Sequence, residues 1–196
     1  LRLRPFPKLT VAGKSAVTTV GLYHSLGQLA SMMSLGAGPV SFTHIVKAME
    51  PLFSAVVSGV YFKKWMPSPV YATLLPVVGG VGYACLKELN FSWLAFGAAM
   101  ASNLAFALRA VMSKIALQSG KDAGSNLTPP NMFGLVTWAA LFISIPIAWI
   151  GEGCTIRDVL TKSLESVENK SHFARTVLIS GLFHYLNNEV MYLALG

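Results

Sequence analysis

The sequence predicts an all-α, polytopic transmembrane helix bundle, on three observations. Of the 196 residues, 54% are hydrophobic and only 12% charged, roughly half the charged share of a water-soluble domain. The apolar stretches divide at Gly, Pro and charge clusters into six segments, each near the ~20 residues that a bilayer requires. Finally, GLYHSLGQLASMMSLG at 21–36 recurs loosely as GLFHYLNNEVMYLALG at 181–196, with six identities in sixteen at an unbroken offset of 160 residues and Tyr23 set against Phe183. About five membrane-length segments separate the copies. A repeat displaced by an odd number of crossings is inverted relative to its partner, an arrangement shared by many secondary transporters.

Residues 1–13 form a basic flank and 14–196 the transmembrane domain. The first helix is expected at about 14–35, ending at the Gly36-Ala-Gly-Pro39 breaker, and the second at about 39–62, ending at Lys63-Lys64. Pro51 should kink the second helix because it removes a backbone hydrogen bond. A third helix, about 69–86, stops at Lys87-Glu88, and a fourth, about 91–117, stops before Gly120-Lys-Asp-Ala-Gly124. A fifth follows Pro129-Pro130 at about 131–150, with Pro146 as a second kink, and a sixth spans about 173–196. Glu152 to His172 reads as the only substantial polar loop. Met32-Met33 and the Gly79-Gly80-Val-Gly82 run read as close-packing positions. The chain starts without Met and stops within the repeat, so it reads as part of a longer protein.

Charge orients the bundle. Arg2, Arg4, Lys8, Lys14, Lys63, Lys64, Lys114 and Lys121 share the N-terminal side with one acid, Asp122. On the other side Lys87, Arg157, Lys162, Lys170 and Arg175 are diluted by Glu88, Glu152, Asp158, Glu165 and Glu168. The N-terminal side therefore faces the cytosol or its organellar equivalent. This pattern also accounts for the net charge of +7 better than nucleic-acid binding, which needs one basic face. Cys85 and Cys154 form no metal or redox motif and read as spare thiols. Asn90, Asn126 and Asn169 match the glycosylation pattern. Asn126 falls on the opposite membrane face from the other two, so the matches read as fortuitous. HExxH, GxSxG and phosphate-loop patterns are absent, so the reading is not an enzyme, with no cofactor and no metal.

Four charged residues fall inside expected helices: Lys47, Glu50, Arg109 and Glu189. A Lys or Arg at the bilayer centre costs about 2.5 to 3.5 kcal/mol on insertion scales, so such residues face a cavity or a partner. Helical spacing puts Thr43, Lys47, Glu50, Ser54 and Ser58 on one face, and Ser102, Phe106, Arg109 and Ser113 on another. Two polar stripes, each with a permanent cation, suit a shared anion. Phosphate fits best, because Arg offers a planar fork and Lys a mobile point charge. The competing structural reading pairs Lys47 with Glu50 and Arg109 with Glu189. His24, His44 and His184 suit interhelical hydrogen bonding more than proton relay. Gln28, Ser31, Tyr185, Asn187 and Asn188 extend the polar faces of the repeated helices.

VSFTHIVKAMEPLFSAVVSG (40–59), LLPVVGGV (74–81), FSWLAFGAAMASNLAFALRAVMSK (91–114) and HSLGQLASM (24–32) resemble the plastid phosphate translocators of the drug/metabolite transporter superfamily. The resemblance implies ten helices in two inverted five-helix halves, of which this chain would supply helices three to eight. It implies an antiporter of the inner plastid envelope that exchanges inorganic phosphate for phosphorylated C3, C5 or C6 compounds. Lys47 matches the lysine of the family's FTHxxK motif and Arg109 the arginine of its sixth helix, both phosphate-gripping. A further Lys-Arg pair would lie in the ninth helix, beyond Gly196. Two departures bear on substrate. Gln28 stands where triose-phosphate members carry a second histidine, and Leu186 where they carry a substrate-facing tyrosine, with Tyr185 one position earlier.

The resulting expectation is an alternating-access antiporter for inorganic phosphate and C3 phosphates, namely triose phosphate and 3-phosphoglycerate. Lys47 and Arg109 would grip phosphate. Gln28, Ser31, Thr43, His44 and Tyr185 would be second-rank contacts or supports, and Glu50 and Glu189 candidates for structural ion pairs. The partners are phosphate, small phosphorylated metabolites and the lipid bilayer, with no nucleic acid; the sequence names no protein partner. The rivals are a carrier of another sugar phosphate, phosphoenolpyruvate, a nucleotide sugar or an amino acid on the same fold, and a membrane scaffold that transports nothing.

Overall fold

The computed structural model describes residues 5–167 and 169–195. Arg2, Arg4, Glu168 and Gly196, which entered the charge count and the repeat, lie outside the described residues, as do the side chains of Glu152 and Cys154. Among the described residues eight α-helices follow one another: α1 (Val11–Ala37), α2 (Val40–Lys47), α3 (Glu50–Phe62), α4 (Ser68–Lys87), α5 (Trp93–Gln118), α6 (Pro129–Glu152), α7 (Ile156–Glu165) and α8 (Lys170–Leu195). The chain folds as an all-α polytopic membrane bundle. Among the described residues, four stretches are long and apolar enough to cross a membrane: Val40–Phe62, Ser68–Lys87, Trp93–Gln118 and Pro129–Gly151. At 27 and 26 residues α1 and α8 also have spanning length; α1 turns His24, Ser25, Ser31 and Ser34 inward, whereas on α8 Asn188 is buried and most other polar residues are exposed. Large apolar side chains such as Leu75, Leu86, Phe142 and Leu178 point outward, as lipid contact demands.

α1 starts at Thr10, whose hydroxyl accepts from the Gly13 N–H at 3.1 Å and donates to the Asp122 carbonyl at 2.6 Å. Just before it, strand β1 (Lys8–Leu9) pairs antiparallel with β2 (Gly124–Ser125) in the loop between α5 and α6. The two-residue ribbon clips the N-terminal flank to that loop, so Lys8 and Lys121 share one end of the bundle. Gly124 has φ +136° and Gly13 abuts the Ala123 carbonyl, and a Cβ at either position would strike backbone. Gly13→Ala is therefore expected to lower stability by about 1 to 3 kcal/mol through overpacking, read as a reduced Tm in detergent.

α5 is the central helix. α1 lies along it because Gly27 leaves room for the Phe106 ring, which a Cβ would meet at 2.7 Å. Small residues let the helix backbones approach, as is usual in membranes. Farther along α1, Gly21 faces Ala139 of α6. α8 docks on α6 through Tyr185 and Tyr192, both 5.1 Å from Phe133, ring centroid to ring centroid.

Three expectations need correction. The second apolar segment is two helices, α2 and α3, parted at Ala48-Met49. Pro51 cannot donate to the Lys47 carbonyl and its ring crowds it, so the chain turns just before it, whereas α6 runs on through Pro146. The polar loop between Glu152 and His172 contains the ten-residue α7, with Asp158 in its first turn and Lys162 in its last, charges that suit the helix dipole. The Gly79-Gly80-Val-Gly82 run does not serve packing here, since a Cβ on Gly79, Gly80 or Gly82 would find open space. Met32 and Met33 are likewise exposed.

Candidate functional site

A cavity of about 540 Å³ opens between α1, α2, α5 and α8. Both intramembrane cations line it. Lys47 enters from the last turn of α2, and its Nζ donates to Ser31 at 3.1 Å and to Ser102 at 2.9 Å. The hydroxyl protons can be followed. Ser31 donates to the Gly27 carbonyl at 2.9 Å, so its 2.7 Å contact with Ser102 must be donated by Ser102. Both hydroxyls then receive a Lys47 proton. An ammonium has three donors, so one is left over, and Nζ lies 4.6 Å from the Phe106 ring centroid.

Arg109 reaches the cavity from α5 and is 4% exposed. Its NH1 lies 3.0 Å from His24 Nδ1. A guanidinium only donates, so Nδ1 accepts and carries no proton. NH2 meets the Met191 sulfur at 3.9 Å, a weak acceptor, and Nε is buried without a hydrogen-bond partner among the described residues. The rings of Phe106 and Tyr192 lie 5.0 and 5.9 Å from Cζ. The hydrogen bonds of both cations thus go to neutral groups and leave donors unused, while the Glu50 carboxylate in the same cavity attracts both.

Of the remaining expected residues, Gln28, Ser31, Thr43, His44 and Glu50 line the same cavity. Thr43 is fully buried and bonded to Ser34 at 2.8 Å, so its hydroxyl is committed to the contact of α1 with α2. His44 is exposed at the rim. Glu50, half-buried, shares the cavity with Lys47, whose hydrogen bonds go to the serines. Ser54 and Ser58 fall on α3, beyond the break that separates them from Lys47. Glu189 is half-buried on α8 and has a partner of its own. Tyr185 is placed elsewhere: it stacks on Phe133 and lines a separate cavity of about 580 Å³ with Phe6 and Trp138.

The sequence reading passed over two residues. Tyr192, fully buried, bonds Ser113 at 3.1 Å while its ring faces Arg109. Its spacing of seven from Tyr185, two helical turns, was the available signal. Asn103, fully buried on α5, donates to the Val46 carbonyl at 3.0 Å. The repeated histidines converge on this place too, His24 on Arg109 and His184 in the cavity wall.

The helix bundle thus turns two cations, Lys47 and Arg109, toward one polar cavity. The chain is a member of the Triose-phosphate Transporter family, whose model matches residues 1–196. It is 35% identical over 191 residues to phosphoenolpyruvate/phosphate translocator 1 of Oryza sativa subsp. japonica, covering 97% of this chain and 45% of that protein. It is also 35% identical over 201 residues to the non-green-plastid triose phosphate/phosphate translocator of Brassica oleracea var. botrytis, covering 100% and 48%. Against the xylulose 5-phosphate/phosphate translocator of Arabidopsis thaliana it is 33% identical over 194 residues, covering 99% and 45%. The chain spans about half the length of these curated relatives.

Proposed function

We propose that this chain carries the phosphate grip of a plastid inner-envelope antiporter that exchanges inorganic phosphate for phosphorylated C3 compounds by alternating access. The observation that carries the reading is the pair of cations, Lys47 and Arg109, brought from separate helices to one cavity with donors unused. A phosphoryl dianion satisfies both: Arg109 can offer two donors of its fork and Lys47 its third proton. Ser31 and Ser102 hold Lys47 in place, and His24 holds Arg109. Gln28 and His44, which line the same cavity, are the candidates to meet the carbon part of the substrate. The family membership and the plastid relatives support the same reading.

Obligatory exchange follows from electrostatics in this scheme. An empty cavity whose two cations face a single acid, Glu50, keeps an excess positive charge that resists passage through the bilayer interior, and one that holds phosphate crosses. The three relatives named above are similar to this chain to nearly the same degree and carry different phosphorylated substrates in their names, so phosphoenolpyruvate is the second reading for the counter-substrate. The test is phosphate uptake by the complete protein in liposomes preloaded separately with phosphate, triose phosphate, 3-phosphoglycerate, phosphoenolpyruvate, pentose phosphate or glucose 6-phosphate. Uptake is expected into vesicles loaded with phosphate, triose phosphate or 3-phosphoglycerate. Uptake driven best by phosphoenolpyruvate, pentose phosphate or glucose 6-phosphate keeps the grip and changes the partner. No exchange from a correctly inserted preparation removes the phosphate reading in favour of another carrier or a scaffold.

A further inference from the structure

Asn103 ties the cavity to the break between α2 and α3. In an unbroken helix the Val46 carbonyl would take the N–H of Glu50, four residues on. Here it takes the N–H of Met49 at 3.1 Å, and beside it the Asn103 amide at 3.0 Å. A carbonyl only accepts, so Nδ2 must face Val46, which fixes the orientation of the amide. The neighbouring Ser102 holds the Lys47 ammonium at 2.9 Å. Two consecutive residues of α5 therefore grip two consecutive residues of α2, Asn103 by the backbone of Val46 and Ser102 by the side chain of Lys47.

The Asn103 amide has no rationale in packing alone. Its Oδ1 is buried with no hydrogen-bond partner among the described residues, a cost that an apolar side chain would avoid. The donor half of the amide is what the site uses, and it is used at the point where Pro51 interrupts the helix.

We propose that Asn103 is a positioning residue that sets the kink between α2 and α3 and thereby the place of Lys47 in the cavity. The transport consequence rests on the reading of Lys47 as a phosphate ligand; the kink does not. The test uses the complete protein in liposomes, freed of other reactive cysteines, with spin labels on Val40→Cys and Val60→Cys. These positions are 59% and 62% exposed and lie on either side of the kink. Asn103→Leu and the smaller Asn103→Ala are both expected to shift or broaden the distance between the labels. Both should also raise the half-saturation for phosphate about five- to tenfold, with little change in maximal rate, as loss of one hydrogen bond predicts. Pro51→Ala, which permits a straighter helix, should absorb the effect, so that adding Asn103→Ala changes nothing further.

A residue that merely fills space would lower the Tm and leave the label distance and the half-saturation alone. An unchanged distance in either folded variant overturns the proposal, as does a moved distance with unchanged half-saturation in a protein that exchanges phosphate. Additive effects of Asn103→Ala and Pro51→Ala overturn it as well. If the unmutated protein exchanges no phosphate, the functional reading fails, while the label distances still decide whether Asn103 sets the kink.

Discussion

Lys47→Met in the complete protein is expected to lower phosphate exchange at least about tenfold and up to about a hundredfold, the weight of a charge-assisted hydrogen bond. Methionine keeps most of the length and apolar stem, so the fold should survive, and the Tm in detergent should fall little or rise. The Ser31 and Ser102 hydroxyls remain paired with each other at 2.7 Å, so removing the ammonium orphans no buried donor. Lys47→Arg is not expected to restore exchange. The ammonium sits between two hydroxyls only 2.7 Å apart and under the Phe106 ring, a place shaped for a compact point charge and not for a planar fork. The measurement is phosphate/phosphate exchange, which is independent of the counter-substrate. Normal exchange by Lys47→Met protein would falsify the grip.

The fold was legible where physical cues were local. Composition and segment length placed the membrane helices, and Pro51 marked a kink in the second of them. The kink became a full break because two further groups converge on it: Met49 turns its N–H to Val46, and Asn103 arrives from α5 to share that carbonyl. Neither the distant amide nor its target can be read from spacing. α7 was missed because its ten residues are too polar and too short to stand out from a loop. The glycine run at 79–82 misled because glycine signals a close approach only where a neighbour arrives, and α4 has open space on that side.

Legibility within the cavity followed the same line. Helical spacing put Lys47 and Arg109 on polar stripes, and the structure turns those stripes toward each other across α1. Ser102 was visible in the Arg109 stripe and Ser31 on the polar face of the first helix, but their pairing depends on α1 and α5 bringing the two hydroxyls within 2.7 Å. Tyr185 shows the limit of the method. The resemblance suggested a substrate contact, yet a shift of one residue, about 100° around α8, is enough to send it to Phe133 and leave the cavity to His184, Asn188 and Met191. Phase errors of this kind are invisible until the neighbouring helix is known.

Arg109→Met separates binding from folding most sharply. Arg109 is almost fully buried, yet its hydrogen bonds go to an imidazole and a thioether, and Nε has no partner. Replacing so poorly compensated a buried cation with an apolar side chain of similar reach is expected to leave stability unchanged or raise it by about 1 to 4 kcal/mol, as for buried ionic groups elsewhere. Exchange should fall at least about a hundredfold, because phosphate loses a two-pronged donor and the cavity loses half its positive charge. Arg109→Lys should recover little, since an ammonium cannot offer two parallel N–H groups while also satisfying His24 Nδ1. The paired readings are the Tm in detergent and phosphate/phosphate exchange in liposomes. A variant that loses stability and exchange together would mark Arg109 as a structural residue. One that keeps or gains stability while losing exchange places its charge in the cavity for the ligand, because a buried cation that costs the fold free energy needs an anion to explain it.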